Sequence, residues 1–406
     1  MTNKAKFNLS MGVLGTLTLL GFGALIYQLT NGLGVTGMNN VVSWGLYIIM
    51  FMFFIGLSAG GLIVSSSATV FNIPSFKVVA KPATILSTVC VILATIFIMV
   101  DLGGPFRMFN LILHGQFQSP LMWDVVVISL YLAINIAYLY FMTRKNTNKK
   151  WLKTTSYIAL PIAILVHSVT AWIFGLQIAR AGWHSAIMAP LFVASALDSG
   201  LALLLIVLIL LKKFKVFHVE NSLITTLAGL LFIFVAVDAY FVFSEILTMF
   251  YPQEESTMLI LNEMMMGSMA PFFWGEVILG IIIPLSILLL KKNRQKISLV
   301  VFSSALIVIG VLCKRIWLVI SSFIFPNVSG SPGVTTGQYI PSDDPAVFNS
   351  SWTTVGQYTP SLIELTIVVG MVAFGILMFI ALSRIIIGKS DQSKLDNCKP
   401  MQEHPQ

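Results

Sequence analysis

Charge is what this chain has least of. Aspartate, glutamate, lysine and arginine make up 10% of its 406 residues, against about 25% in a soluble globular domain. That shortage excludes an ordinary water-facing surface, and with 57% hydrophobic residues it assigns the chain to a bilayer. Cysteine is also scarce. Cys90, Cys313 and Cys398 stand singly with no C-x-x-C spacing, so no iron–sulfur cluster or zinc site is built from them alone. The first two read as small apolar packing residues and the third as a tail thiol. Of the five histidines, His114, His184, His218 and His404 fall in connections or the tail, and only His167 lies inside an apolar run. A bis-histidine haem needs two imidazoles at matched depth, so haem is not expected within this chain.

Long hydrophobic runs, by contrast, recur along the whole length. They fall near 9–29, 45–71, 79–100, 121–142, 155–176, 187–211, 223–249, 267–290, 297–320 and 362–387. Each approaches or exceeds the roughly 20 residues that cross a hydrocarbon core. None alternates in polarity, so the backbone is satisfied by helices and not by a β-barrel. The expectation is an all-α membrane protein of about ten transmembrane helices, including four-helix bundles. The first run follows Lys4 and Lys6 as a signal peptide would, but no small-residue cleavage site stands behind it, and it reads as a retained helix. Residues 1–390 are expected to form a single polytopic membrane domain, and 391–406 a polar, disordered tail.

The net charge of +8 is a topology signal and not a nucleic-acid footprint. On alternate connections, beginning with the N-terminus, lie all 24 lysines and arginines except Arg107, Arg180, Lys314 and Arg315. The positive-inside rule makes that side cytoplasmic, with both termini on it, in a bacterial-type inner membrane; the partner this charge implies is membrane lipid. Acidic residues do the reverse: of 16, only Glu220, Asp391, Asp396 and Glu403 are on the basic side. The longest connections are expected on the outer side. Residues 321–361 are rich in Pro, Gly, Ser and Thr, and FRMFNLILHG within 101–122 has the apolar spacing of a short surface helix. A weak internal echo links MAPLFVASALDSGLALLLIVLILLKK (188–213) with MAPFFWGEVILGIIIPLSILLLKK (269–292), each with one acid in its first half and a closing lysine pair.

Ionisable residues inside the spans cost at least about 2.5–3.5 kcal/mol each on insertion scales, so each requires a partner or a function. His167 and Asp198 lie near mid-span on consecutive helices, at similar depth. Asp238, Glu276, Lys314, Arg315 and Glu364 fall in the outer halves of their spans, and Asp101, Asp124, Arg180 and Glu245 at outer ends. The inner half holds none, which favours a site opening to one face over a side-chain conduit through both. For Asp238, Glu276, Lys314 and Arg315 ion pairing between helices competes evenly with function. For His167 with Asp198 function is favoured, because a neutral imidazole needs little pairing and titrates where protons are passed. SAGG at 58–61 and the serines at 65–67 read as close-packing residues, and Trp44, Trp123, Trp172, Trp183 and Trp352 as interfacial anchors.

Five motifs in order carry a resemblance. They are GLGVTGMNNVVSWGLYIIMFMFFIGLSAGG (32–61), DLGGPFR (101–107), SPLMWD (119–124), PIAILVHSVTAWIFG (161–175) and GWHSAIMAPLFVASALDSG (182–200). As a set they resemble the NrfD family of quinone-interacting membrane subunits of polysulfide-reductase-type complexes, over most of residues 30–290. The resemblance implies a subunit without its own redox centre that binds menaquinone or ubiquinone near the outer face. It also implies electron exchange with a four-cluster ferredoxin-like iron–sulfur subunit, joined to a molybdopterin-type or other catalytic subunit. His167 and Asp198 then line the quinone and proton site, with Asp124 and Arg180 beside it. The turn and WD motifs fall on Asp101, Pro105, Arg107, Trp123 and Asp124. Gly104 departs from the pattern, standing where many members have arginine, so Arg107 or Arg180 must compensate. Two rival readings are a secondary transporter of an ion or small solute, and a purely structural anchor for an outer-face enzyme.

Overall fold

The computed structural model describes residues 3–39, 41–144, 148–325 and 356–397. Most of the long connection expected over 321–361, with Trp352, and the tail from Cys398 onward lie outside the described residues. Among the described residues, ten helices are long and apolar enough to cross a membrane. They are α1 (Asn3–Asn31), α2 (Leu46–Val70), α3 (Pro74–Asp101), α5 (Pro120–Thr143), α6 (Lys149–Gly175), α7 (Met188–Lys213), α8 (Asn221–Phe250), α10 (Ala270–Leu289), α11 (Ile297–Ile324) and α12 (Leu362–Asn397). Two short helices, α4 (Arg107–Leu113) and α9 (Glu255–Met266), lie between spans at one end. The expected surface helix is α4. The sequence pattern gives no comparable signal for α9, because Glu255, Asn262 and Glu263 interrupt its apolar spacing.

Helices α2, α3, α5 and α6 pack into one four-helix bundle, and α7, α8, α10 and α11 into a second; α7 joins the two through α2 and α6. The pair α1 and α12 stands beside α3. Glycines set the closest approaches. A Cβ on Gly60 would stand 2.1 Å from the Gly200 carbonyl carbon, so the SAGG motif brings the α2 and α7 backbones into direct contact. Gly280 and Gly310 bring α10 against α11 in the same way, and Gly21 and Gly370 join α1 to α12.

Helix starts follow local chemistry. Pro74 and Pro120 occupy first-turn positions, where the missing N–H costs nothing. Asn148 caps α6 by accepting from the Lys150 amide at 2.9 Å. Ser361 and Glu364 form a reciprocal capping box on α12: Ser361 N donates to Glu364 Oε2 at 2.8 Å, and Glu364 N to Ser361 Oγ at 3.2 Å. Within α10, Gly275–Ile282 widens into π turns just before Pro284. Proline has no N–H for the carbonyl four residues back and its ring crowds it, and a wider turn relieves both.

One end of the fold carries the lysine-rich helix ends and connections, including Lys77, Lys153, Lys212 and Lys296; the other carries α4, α9 and the acidic helix ends. Trp123 and Trp172 are partly exposed at that acidic end, as interfacial anchors are. Trp183 is not an anchor. It is 3% exposed, donates Nε1–H to the Leu318 carbonyl at 2.7 Å, and stacks on Trp44. Its place in the 176–187 connection suggests a lipid-facing ring, but that connection folds inward over the ends of α2 and α11.

Candidate functional site

The buried ionisable side chains gather into separate groups. The largest lies where α7 joins the second bundle, and α11 organises it. Lys314 and Arg315 are adjacent, so their side chains leave the helix about 100° apart and meet different neighbours. Lys314 turns to α8 and α10, where its Nζ lies 3.1 Å from Asp238 Oδ1 and 3.0 Å from Glu276 Oε1. Trp317, nearly one turn on, donates Nε1–H to Glu276 Oε2 at 2.7 Å. The interhelical pairing of Asp238 and Glu276 with Lys314 is therefore present, and three helices share it.

Arg315 turns the other way, toward α7 and α2. Its Nη2 lies 3.3 Å from Ser195 Oγ, and its guanidinium carbon sits 4.2 Å from the centre of the Phe192 ring. The charges of Asp238 and Lys314, and after them that of Arg315, act through space on Asp198, and the charge of Arg315 acts on His167. His167 and Asp198 are each 2% exposed. His167 Nε2, Asp198 Oδ1 and Arg315 Nε and Nη1 are all buried without a hydrogen-bond partner. Buried polar atoms are nearly always partnered, so each of these four is an exception that calls for a further partner. The echoing helices α7 and α10 flank α11 and present Asp198 and Glu276 on its two sides.

The remaining candidates lie apart. Asp124, at the start of α5, accepts from Thr170 Oγ1 at 2.7 Å, and Thr170 is one turn along α6 from His167. Asp124 thus reaches the histidine helix through a threonine. Spacing on the helix, His167 then Thr170, is the signal that places both on one face.

Glu364 belongs to a third group. Besides its capping box it accepts from Gly37 N at 2.7 Å and from Tyr358 Oη at 2.7 Å, while Tyr358 Oη accepts from Leu46 N at 2.7 Å. Burial first, then the Glu364 charge, raises the Tyr358 phenol above its ordinary pKa and keeps it a donor. Glu364 is thus a clip between α12 and the start of α2. Beside it, Tyr47 donates to Gln28, Gln28 donates to the Val100 carbonyl, and half-buried Asp101 leaves Oδ1 without a partner.

Arg180 sits at the acidic end, on the wall of a cavity of about 740 Å³ bounded by the α6–α7 connection, α8, α9 and the end of α11. It donates to the Ser322 carbonyl at 2.7 Å and lies 4.6 Å from the Phe323 ring centre. Partial burial lowers its pKa from the ordinary guanidinium value. Glu245 lines the same cavity and accepts from Ser185 Oγ at 2.7 Å. Arg180 therefore does not stand with His167 and Asp198. Among the described residues, no group of three His, Cys, Asp or Glu is placed to hold a metal ion.

Residues 34–327 match the family model described as polysulphide reductase, NrfD. The chain belongs to the NrfD family. The family match extends beyond residue 290, where sequence motifs show only a common helix count, and takes in α11 with Lys314 and Arg315. Several relatives match over about nine-tenths of their length. A putative dimethyl sulfoxide reductase membrane subunit of Halobacterium salinarum is 35% identical, over 91% of this chain and 89% of that protein. The Hdr-like menaquinol oxidoreductase integral membrane subunit of Archaeoglobus fulgidus is 30% identical, over 91% and 90%. A selenate reductase subunit of Mesobacillus selenatarsenatis is 26% identical, over 90% and 91%. In this NrfD chain the DLGGPFR turn leads from α3 into α4, and Arg107 folds across the bare Gly104: a Cβ there would meet Arg107 Nε at 3.3 Å. The guanidinium of Arg107 thus lies beside the position the departure left empty.

Proposed function

We propose that this chain is the quinone-interacting membrane subunit of a multisubunit oxidoreductase in a bacterial-type inner membrane. Its acidic end faces outward, as the lysine distribution supports. There it meets a four-cluster ferredoxin-like iron–sulfur subunit, which leads to a molybdopterin-type or other catalytic subunit. Family membership and relatives that are membrane subunits of reductases and of a menaquinol oxidoreductase support this reading. The observation that carries the site assignment is the unpartnered pair His167 Nε2 and Asp198 Oδ1, buried on neighbouring helices.

A quinone, menaquinone or ubiquinone, supplies the two-electron, two-proton exchange when bound. The residues present fit its chemistry: an imidazole nitrogen that donates or accepts, a carboxyl oxygen, and a guanidinium, with the Phe192 ring alongside. His167 holds a ligand oxygen and exchanges a proton at Nε2, and Asp198 orients that exchange or accepts the proton. Asp124 steadies α6 through Thr170. The Lys314 group closes the second bundle next door.

Titration of the intact, gently solubilised complex with a fluorescent quinol analogue tests this. Saturable binding that weakens in both His167→Ala and Asp198→Asn is the expected result. Wild-type protein that binds no analogue would overturn it and leave the structural anchor or the transporter as the better reading. Undiminished binding in both variants would move the site elsewhere, the Arg180 cavity being the next place to look.

A further inference from the structure

Arg315 is among the largest fully buried side chains of the protein, at 1% exposure, and it is under-used. A guanidinium has five N–H donors. Here the contact to Ser195 Oγ at 3.3 Å engages one nitrogen, and Nε and Nη1 have no acceptor. The neighbouring Lys314 shows what a satisfied buried cation looks like in this fold, with two carboxylates within 3.1 Å. No carboxylate lies within ion-pairing distance of Arg315 among the described residues. Asp238, Glu276 and Asp198 act on it only through space, as does the like charge of Lys314. These fields temper the cation but fill none of its hydrogen-bonding positions.

The surroundings leave the guanidinium available. The Phe192 ring lies 4.2 Å from the guanidinium carbon and offers no conventional acceptor to the N–H groups left open at Nε and Nη1. On α2 stands Gly56, whose absent Cβ would lie 3.8 Å from Nη2 and 4.0 Å from Ser199 Oγ, so no side chain from that position occupies the space. A buried cation with free donors, held against α7 at Ser195 one turn before Asp198, is suited to a ligand oxygen that carries negative charge.

We infer that Arg315 is the oxyanion-recognising residue of this site, giving it a preference for an ionised ring oxygen over a neutral one on an otherwise similar quinone. The inference rests on the quinone reading above and adds to it the charge state of the ligand the site selects. A guanidinium already makes charge-assisted bonds to a neutral oxygen, and ionising that oxygen adds attraction between the two charges, for which roughly a tenfold difference in affinity is expected.

The probes are 2-hydroxy-1,4-naphthoquinone, which is ionised in neutral water, and its neutral methyl ether, 2-methoxy-1,4-naphthoquinone. Equilibrium titration of the intact complex at neutral pH is expected to show the ionised compound binding roughly tenfold tighter. Arg315→Gln is expected to erase that preference while still binding the ether, and Arg315→Lys to retain part of it. Equal affinity of the wild type for both compounds would overturn the inference and leave the quinone reading intact, because the ether reports that reading separately. Binding of neither compound would overturn both. A preference that survives in Arg315→Gln would overturn the role given to Arg315, and the wild-type comparison stands even if that variant does not fold.

Discussion

Replacing Lys314 by methionine isolates the ion-pair group from the site beside it. Lys314 is 0% exposed and lies 3.1 Å from Asp238 and 3.0 Å from Glu276, carboxylates that are themselves nearly inaccessible. Methionine keeps much of the volume but leaves two buried acids without their cation. Breaking a buried pair by removing one partner costs about 3–5 kcal/mol, because the remaining charge is uncompensated. At roughly 2 °C per kcal/mol for a chain of this size, the midpoint of thermal unfolding in detergent falls by about 6–10 °C. Removing all three charges together, in Lys314→Met with Asp238→Asn and Glu276→Gln, recovers part of that loss, since no buried charge remains uncompensated and only the smaller penalty of buried amides is left. Trp317 keeps an acceptor in the new amide oxygen that Glu276→Gln supplies. Differential scanning fluorimetry of the four proteins (wild type, Lys314→Met, the triple variant and Asp238→Asn) checks the scheme. A midpoint shift below about 1 °C for Lys314→Met, or a triple variant less stable than the single one, would refute the reasoning.

Two further outcomes follow from the packing. Gly60→Ala places a methyl group 2.1 Å from the Gly200 carbonyl carbon, against backbone that has nowhere to go; a loss of about 1–3 kcal/mol is expected, read as a lower unfolding midpoint. Glu364→Ala removes the acceptor of the Gly37 amide, the Ser361 amide and the Tyr358 hydroxyl at once. It is expected to cost about 2–4 kcal/mol and to speed proteolysis near the start of α12, with Glu364→Gln much milder because one oxygen still accepts.

Height in the membrane is legible in the residues; direction is not. Counting along each apolar run assigns a level to His167, Asp198, Asp238, Glu276, Lys314 and Arg315, because a helix rises by a fixed amount per residue. Counting does not say which neighbour each side chain meets, since that depends on how far each helix is rotated about its axis. So the resemblance groups Asp124 with His167 without saying how, and the contact to α6 is made through Thr170. It groups Arg180 with the same pair, whereas its connection folds over the end of α11. Depth alone assigns Glu364 to a polar network, although the Ser361-x-x-Glu364 spacing before an apolar run carries the capping signal that explains it.

By itself the sequence determined the ten spans, the segregation of lysine to one end and the confinement of buried charge to one half of the bundle. Those properties follow from local hydrophobicity and from the fixed thickness a helix must cross. Only the tertiary structure decided that Lys314 would be spent on two carboxylates while Arg315, one residue later, turned to Ser195 and Phe192 and kept free donors. The two side chains leave α11 about 100° apart, and which helices stand in those two directions is fixed by glycine contacts between segments far apart in the chain, Gly60 with Gly200 and Gly280 with Gly310.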